Sequence, residues 1–261
     1  MNLAPTPSAA AGDTAVSLSG VVALLGRFPA LAGIDLTVDR GEVVLLQGPN
    51  GAGKTTVLRL CAGLLRVESG RASVLGHDLA SDRRSVRRRV GLLGHATGLY
   101  DDLTVAENVT FWARACRADV ADVDAALGLF GLASRLRDVE VRRLSAGQRR
   151  RTSLATLVVR RPELWLLDEP HAALDQQGRD VVDGLIADAA SAGATVLLAS
   201  HELERVAGIS RRVVTIAGGL AVGDTGAGGD LAVGDTGAGT EPAGDAGADS
   251  GAAVRTGEVG P

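Results

Sequence analysis

Of the 27 basic residues in this chain, 26 are arginine and one, Lys54, is lysine. That lysine lies in Gly48-Pro49-Asn50-Gly51-Ala52-Gly53-Lys54-Thr55-Thr56. The GxxxxGK[ST] spacing follows a strand-like apolar run and opens a helical pattern, the context in which such a loop binds phosphate. Its glycines let the backbone approach phosphate oxygens closely, consecutive N–H groups form an anion nest, and the following helix aims its positive end there. Lys54 adds a compact charge for the terminal phosphates, and the Thr55 hydroxyl is suited to ligate Mg2+. A planar guanidinium would fit this cradle badly, which gives a reason for the lysine.

A second chemical unit follows Leu164-Trp165-Leu166-Leu167, where the chain continues as Asp168-Glu169-Pro170. A buried strand ending in two carboxylates would deliver Asp168 to the metal shell and Glu169 to the water that attacks a γ-phosphate. A third unit is Leu144-Ser145-Ala146-Gly147-Gln148. Ser145 with Gln148 three residues on has the form of a capping box, so a helix running to about residue 160 opens there. Its N-terminus is a second anion-binding end, suited to the nucleotide held by another subunit because this chain already carries its own phosphate loop.

The elements that must position these residues read as an α/β fold. Short apolar runs bounded by glycine alternate with helical patterns, which argues for a mostly parallel sheet covered by helices. Strands are predicted at residues 43–47, 90–93, 164–167, 195–199 and 212–217. Between the second and third, residues 97–161 read as an almost entirely helical insert. One helix in it starts at Thr104, whose spacing to Glu107 is another capping box, and another covers residues 122–130.

The domain is expected over residues 16–222, after a flexible lead-in at 1–15 without the basic start and apolar block of a secretory signal. Residues 223–261 read as a disordered Gly/Ala/Asp-rich tail, in which residues 220–228 (LAVGDTGAG) recur as 231–239. The longest apolar runs are strand-sized and too short for a membrane span, so a soluble chain is expected. A net charge of −4 with both signs interspersed offers no basic field, and nucleic acid is not expected as a partner. Cys61 and Cys116 show no metal or disulfide spacing and read as buried small apolar residues.

Taken in order, these residues resemble the nucleotide-binding subunit of an ABC transporter, over about residues 16–222. Gly48 through Thr55 correspond to Walker A, Leu144 through Gln148 to the signature, and Leu164 through Glu169 to Walker B. Ala173-Leu174-Asp175 is similar to the D-loop, and His201 to the switch histidine. The resemblance implies a P-loop NTPase of ABC type, with a mostly parallel core sheet, an antiparallel β-subdomain and an inserted helical subdomain at about 97–161. It implies ATP and Mg2+, the latter held by Thr55 and Asp168, with Lys54, Glu169 and His201 as catalytic residues. It also implies a second ATP-binding subunit packed head to tail, so that each ATP lies between one Walker A and the opposite signature. Multispanning permease subunits would be the membrane partner, placing the chain in the cytoplasm, peripheral on the inner face of the cell membrane.

Two positions depart from the family pattern. The aromatic residue that usually stacks on adenine is replaced by Leu25, with Phe28 nearby as a substitute. His95 stands where the family has the glutamine that senses nucleotide at the joint with the helical subdomain; the alternative is a histidine hydrogen-bonded only for structure. Leu93-Gly94-His95, Leu103-Thr104-Val105-Ala106-Glu107-Asn108 and the alanine of the signature resemble one branch, the haem exporter ATPase of cytochrome c maturation, from which Ala96 departs. A generic exporter of drugs, lipids or polysaccharide is the alternative within transport. A soluble ABC ATPase outside transport is the alternative beyond it, disfavoured by the single cassette and the lack of a heptad run. The arginine clusters at 83–89 and 142–151 read as solvated helix faces.

Overall fold

The computed structural model describes residues 14–226 except 203, 204 and 207. In chain order the elements begin with β1 (Thr14–Leu25), β2 (Phe28–Asp39), β3 (Val43–Gln47), α1 (Lys54–Cys61), β4 (Ser69–Val74) and β5 (His77–Asp78). They continue with α2 (Arg83–Arg89), β6 (Val90–Leu93), α3 (Val105–Ala115), α4 (Val120–Leu129) and α5 (Ala146–Arg160). The last are β7 (Leu164–Asp168), α6 (Gln176–Ser191), β8 (Thr195–Ala199), β9 (Arg212–Ala217) and β10 (Leu220–Asp224).

Two sheets result. A six-stranded sheet has the order β10-β9-β3-β8-β7-β6, parallel throughout except for the antiparallel edge strand β10. A four-stranded antiparallel sheet has the order β2-β1-β4-β5. The parallel strands are short and apolar on both faces because both are covered, and successive side chains alternate between two cores. Val44, Leu46, Leu164, Leu166, Leu197 and Ala199 join α1 and the antiparallel sheet in one core. Leu45, Trp165, Leu167, Val196 and Leu198 join α3, α4, α5 and α6 in the other.

The helices begin where their caps lie. Thr104 and Glu107 form the reciprocal box that opens α3, and Ser145 and Gln148 form the one that opens α5. At α4, Asp122 accepts from the Asp119 N–H at 3.3 Å, and the helix starts two residues before the predicted one. The insert is less helical than expected. Gly131, at φ 66°, follows α4, and residues 131–145 are mostly turns with one short 3-10 turn at Val141–Arg143.

Four further expectations change. Thr14 and Ala15, read as lead-in, already belong to β1, and Gly223 and Asp224, read as tail, belong to β10. The rest of the lead-in, residues 1–13, and the duplicate at 231–239 lie outside the described residues. Cys61 is buried, but Cys116 caps the end of α3 and is exposed. The arginine clusters are not simply solvated: Arg89 grips Glu163 bidentately at 2.5 and 2.6 Å, Arg87 donates to the carbonyl of Gly63, and Arg150 is buried. No helix among the described residues is long and apolar enough to cross a membrane.

Candidate active site

The site lies along the carboxyl ends of β3, β8 and β7, adjacent parallel strands whose exits share one edge of the sheet. Such an edge is where open α/β sheets hold ligands. The phosphate loop leaves β3 through Gly48, at φ 142°, where a Cβ would fall 2.0 Å from the carbonyl oxygen of Ile216. Only glycine fits there. Gly53, at φ 113°, is the N-cap of α1 and supplies no side-chain cap, so the first N–H groups of the helix remain available to an anion. Lys54 is buried, and its ammonium donates to the carbonyls of Gly48 at 2.6 Å and Pro49 at 3.1 Å.

Thr55, on the first turn of α1, donates its hydroxyl to Asp168 Oδ2 at 2.9 Å. The next residue, Glu169, leaves β7 with φ 48°, and its N–H donates to the carbonyl of Ala199 on β8. That bond places the Glu169 side chain beside the exit of β8, where His201 lies. His201 Nε2 is 3.5 Å from Glu169 Oε1 and 3.1 Å from Asn50 Oδ1, and the His201 N–H donates to Glu169 Oε2 at 3.4 Å. The phosphate loop, the two carboxylates and His201 therefore converge.

They open into a cleft of about 770 Å³. Its lining contains Asn50 through Thr56, Asp168, Glu169 and His201, along with Ala146, Ala172 and Ala173. His95 is exposed and also lines it; the hydrogen bonds among the described residues do not include its imidazole. Of the two candidates beside the base, Leu25 lines the cleft, whereas Phe28, 79% exposed, lies outside the lining although it pairs with Leu25 across the β1–β2 turn. Ser145 and Gln148 are engaged with each other's backbone N–H groups. Gly147 passes so near the D-loop that a Cβ would sit 2.7 Å from the Ala173 carbonyl. Asp175 lies outside the lining and caps α6, accepting from the Gly178 N–H at 3.0 Å and from Arg151 at 2.6 Å.

The residue most clearly missed from sequence is Arg150. Its guanidinium donates to the carbonyls of Gly94 at 2.8 Å, Asp168 at 2.7 Å and Glu169, with a longer bond to Pro170 at 3.4 Å. Burial pushes this guanidinium down to about 10, opposed by the charges of Asp168 and Glu169. The helical period held the signal: Arg150 lies four residues before buried Leu154 and eight before buried Val158, on the inward face of α5. Arg59, Thr97 and Arg149 also line the cleft without a sequence signal of their own.

Residues 31–172 match the family model described as ABC transporter. The chain is 38% identical to the daunorubicin resistance ATP-binding protein DrrA3 of Streptomyces coeruleorubidus, over 81% of this chain and 68% of that protein. It is 41% identical to the cytochrome c biogenesis ATP-binding export protein CcmA of Paramagnetospirillum magneticum, over 72% of this chain and 88% of that protein. Among solved structures, a bacterial Atm1-family ABC exporter with ATP bound superposes with a TM-score of 0.73 at 26% identity, over 85% of this chain and 40% of that one.

Proposed function

This chain belongs to the ABC transporter family as an ATP-hydrolysing subunit, and on that premise we propose that it drives a separate membrane permease by closing on a second ATP-binding subunit. The observation that carries the reading is the convergence of Thr55, Asp168, Glu169 and His201 beside the phosphate loop.

Loop N–H groups from Gly51 to Thr56 hold the phosphates, and Lys54 turns from the carbonyls of Gly48 and Pro49 to the terminal phosphate oxygens. Glu169 accepts the proton of the attacking water. His201 holds the γ-phosphate side of the cleft, and its contact with Glu169 and Asn50 fixes where both meet the substrate. Thr55 and Asp168 fit Mg2+: they are hard oxygen donors already 2.9 Å apart, one of them a carboxylate. When bound, Mg2+ would offset the charge of the phosphates. Ser145, Ala146, Gly147 and Gln148 present the N-terminus of α5 to the ATP of the second subunit, and the Asp175 turn packs beside them. His95, exposed in the cleft, senses the bound nucleotide for the helical subdomain.

For cargo, the reading is export of haem for cytochrome c biogenesis, supported by Leu93-Gly94-His95, by Leu103 through Asn108 and by the likeness to CcmA over most of that protein's length. A second reading, drug export, is supported by the likeness to DrrA3, which reaches over a larger share of this chain.

The test begins with detergent extraction of tagged chain, from which a multispanning membrane protein is expected to copurify. Full ATPase activity with no membrane partner would count against the permease reading. In the purified complex, stimulation of hydrolysis by haem supports the first cargo and stimulation by daunorubicin alone the second. His95→Ala is expected to lower cargo-stimulated hydrolysis more than ATP binding; equal losses would remove the sensor role.

A further inference from the structure

We propose that Arg150 is a positioning residue for hydrolysis, clamping the backbone that carries Glu169 and tying it to the strand end that carries His95. The inference rests on the reading of Glu169 as the carboxylate that accepts the proton.

Arg150 is 6% exposed, and among the described residues no carboxylate oxygen pairs with it. Its donors go instead to four main-chain carbonyls. Three are consecutive, those of Asp168, Glu169 and Pro170, and the fourth is that of Gly94, next to His95. Asp168 is the last residue of β7, so the carbonyls of Glu169 and Pro170 lie past the strand ladder, that of Glu169 also accepting from the Ala172 N–H. A buried charge whose hydrogen bonds all go to backbone carbonyls is costly unless its N–H groups are well satisfied, and an apolar side chain would anchor α5 at lower cost. The geometry therefore points away from a packing role. A planar fork can span several carbonyls at fixed angles, which a single ammonium cannot do.

What the fork holds is an uncommon conformation. Glu169 lies at φ 48°, a region that a non-glycine residue keeps only when its surroundings determine it. Three main-chain hydrogen bonds restrain it: its N–H donates to Ala199, and its carbonyl accepts from Arg150 and from the Ala172 N–H. Together they fix the direction in which the carboxylate leaves the backbone. Because Arg150 sits in the second turn of the helix capped by Ser145, the same fork joins the signature end of α5, the exit of β6 and the catalytic turn. Displacement of α5 is thereby felt at Glu169.

The experiment compares steady-state hydrolysis and ATP affinity in the full chain, within its permease complex, for Arg150→Lys, Arg150→Ala, Glu169→Gln and Arg160→Lys. Arg160 serves as the matched control, since it also bridges α5 to β6, donating to the carbonyl of Val90 at 2.9 Å, but does not touch the catalytic turn. In Arg150→Lys, kcat is expected to fall by ~10²-fold, the cost of a small misplacement of a reacting group, while ATP affinity stays within about twofold. Arg160→Lys is expected to lower the melting temperature without this split. Guanidinium ion at millimolar concentration is expected to restore part of the activity of Arg150→Ala. Adding Arg150→Lys to Glu169→Gln should cost little more than Glu169→Gln alone, because both act through one carboxylate. Normal kcat in Arg150→Lys, or a parallel loss of ATP affinity and kcat, would overturn the proposal. If Glu169→Gln itself turns over normally, the reading of Glu169 fails; if only the arginine variants do, the positioning role alone fails.

Discussion

The hydroxyl of Thr55 donates to the carboxylate of Asp168 across 2.9 Å, although 113 positions separate them in the chain. The first turn of α1 and the end of β7 thus bring together the two oxygen donors that would hold one metal ion. Asp168→Asn retains the shape and the bond acceptor but removes the charge. Hydrolysis is expected to fall by at least ~10²-fold, as the loss of several kcal/mol of charge stabilisation implies, and Mg2+ should cease to strengthen ATP binding. Nucleotide titration with and without a chelator checks this; Mg2+-dependent affinity equal to that of the parent would contradict it.

Leu25, 43% exposed, lines the cleft, and Phe28 lies outside that lining. Leu25→Trp is therefore expected to tighten ATP binding by ~10-fold, within the range that base–aromatic stacking supplies, and Phe28→Ala to leave it unchanged. Isothermal titration of both variants decides the matter, and a loss of affinity confined to Phe28→Ala would reverse the assignment. The parent should turn over ATP and GTP with little preference.

Asp175 has its carboxyl held below the usual carboxylate range, chiefly by the Arg151 side chain and then by the Gly178 N–H. A lowered folded-state value stabilises the protein above the unfolded carboxylate value of about 3.9, and the benefit disappears as pH falls through the folded value. Asp175→Asn preserves an N-cap, so it isolates the charge. Its stability deficit is expected to be small, since the pair is exposed, to be present at pH 7, and to close as pH falls from about 4 through the folded value. Chemical denaturation at several pH values reads this; a deficit that grows toward acid would contradict it.

The two cysteines should behave differently. Burial pushes the Cys61 thiol up to about 12, whereas Cys116 is exposed at the end of α3. One equivalent of a thiol reagent is expected to react quickly with the folded chain and the second only on unfolding. Two fast equivalents would show that the α1 core opens readily.

The sequence alone was sufficient for whatever depends on local pattern. The phosphate loop could be read from Gly48 to Thr55 because its backbone demands glycine at set spacings, and the caps at Thr104 and Ser145 because a box needs only residues three apart. The apolar strands could be read because both faces of a parallel sheet are buried. Helix content across the insert was overestimated, since helical composition does not show where turns such as that after Gly131 interrupt it. Cys116 and the arginine clusters were misread for a related reason: burial of one side chain depends on what folds against it, and exposed and buried arginines look alike in a basic run.

Tertiary structure alone decided which residues meet. The order β3-β8-β7 puts Asn50, His201 and Glu169 at one edge, a consequence of strand order that no window of sequence contains. It decided also that Leu25 rather than Phe28 lines the cleft, because which of two residues paired across a tight turn reaches the phosphate loop is set by how β1 and β2 pack on it. Arg150 makes the same point most sharply. Its chemistry lies in four backbone carbonyls, groups that every residue carries and that acquire a role only when the chain brings them to one guanidinium.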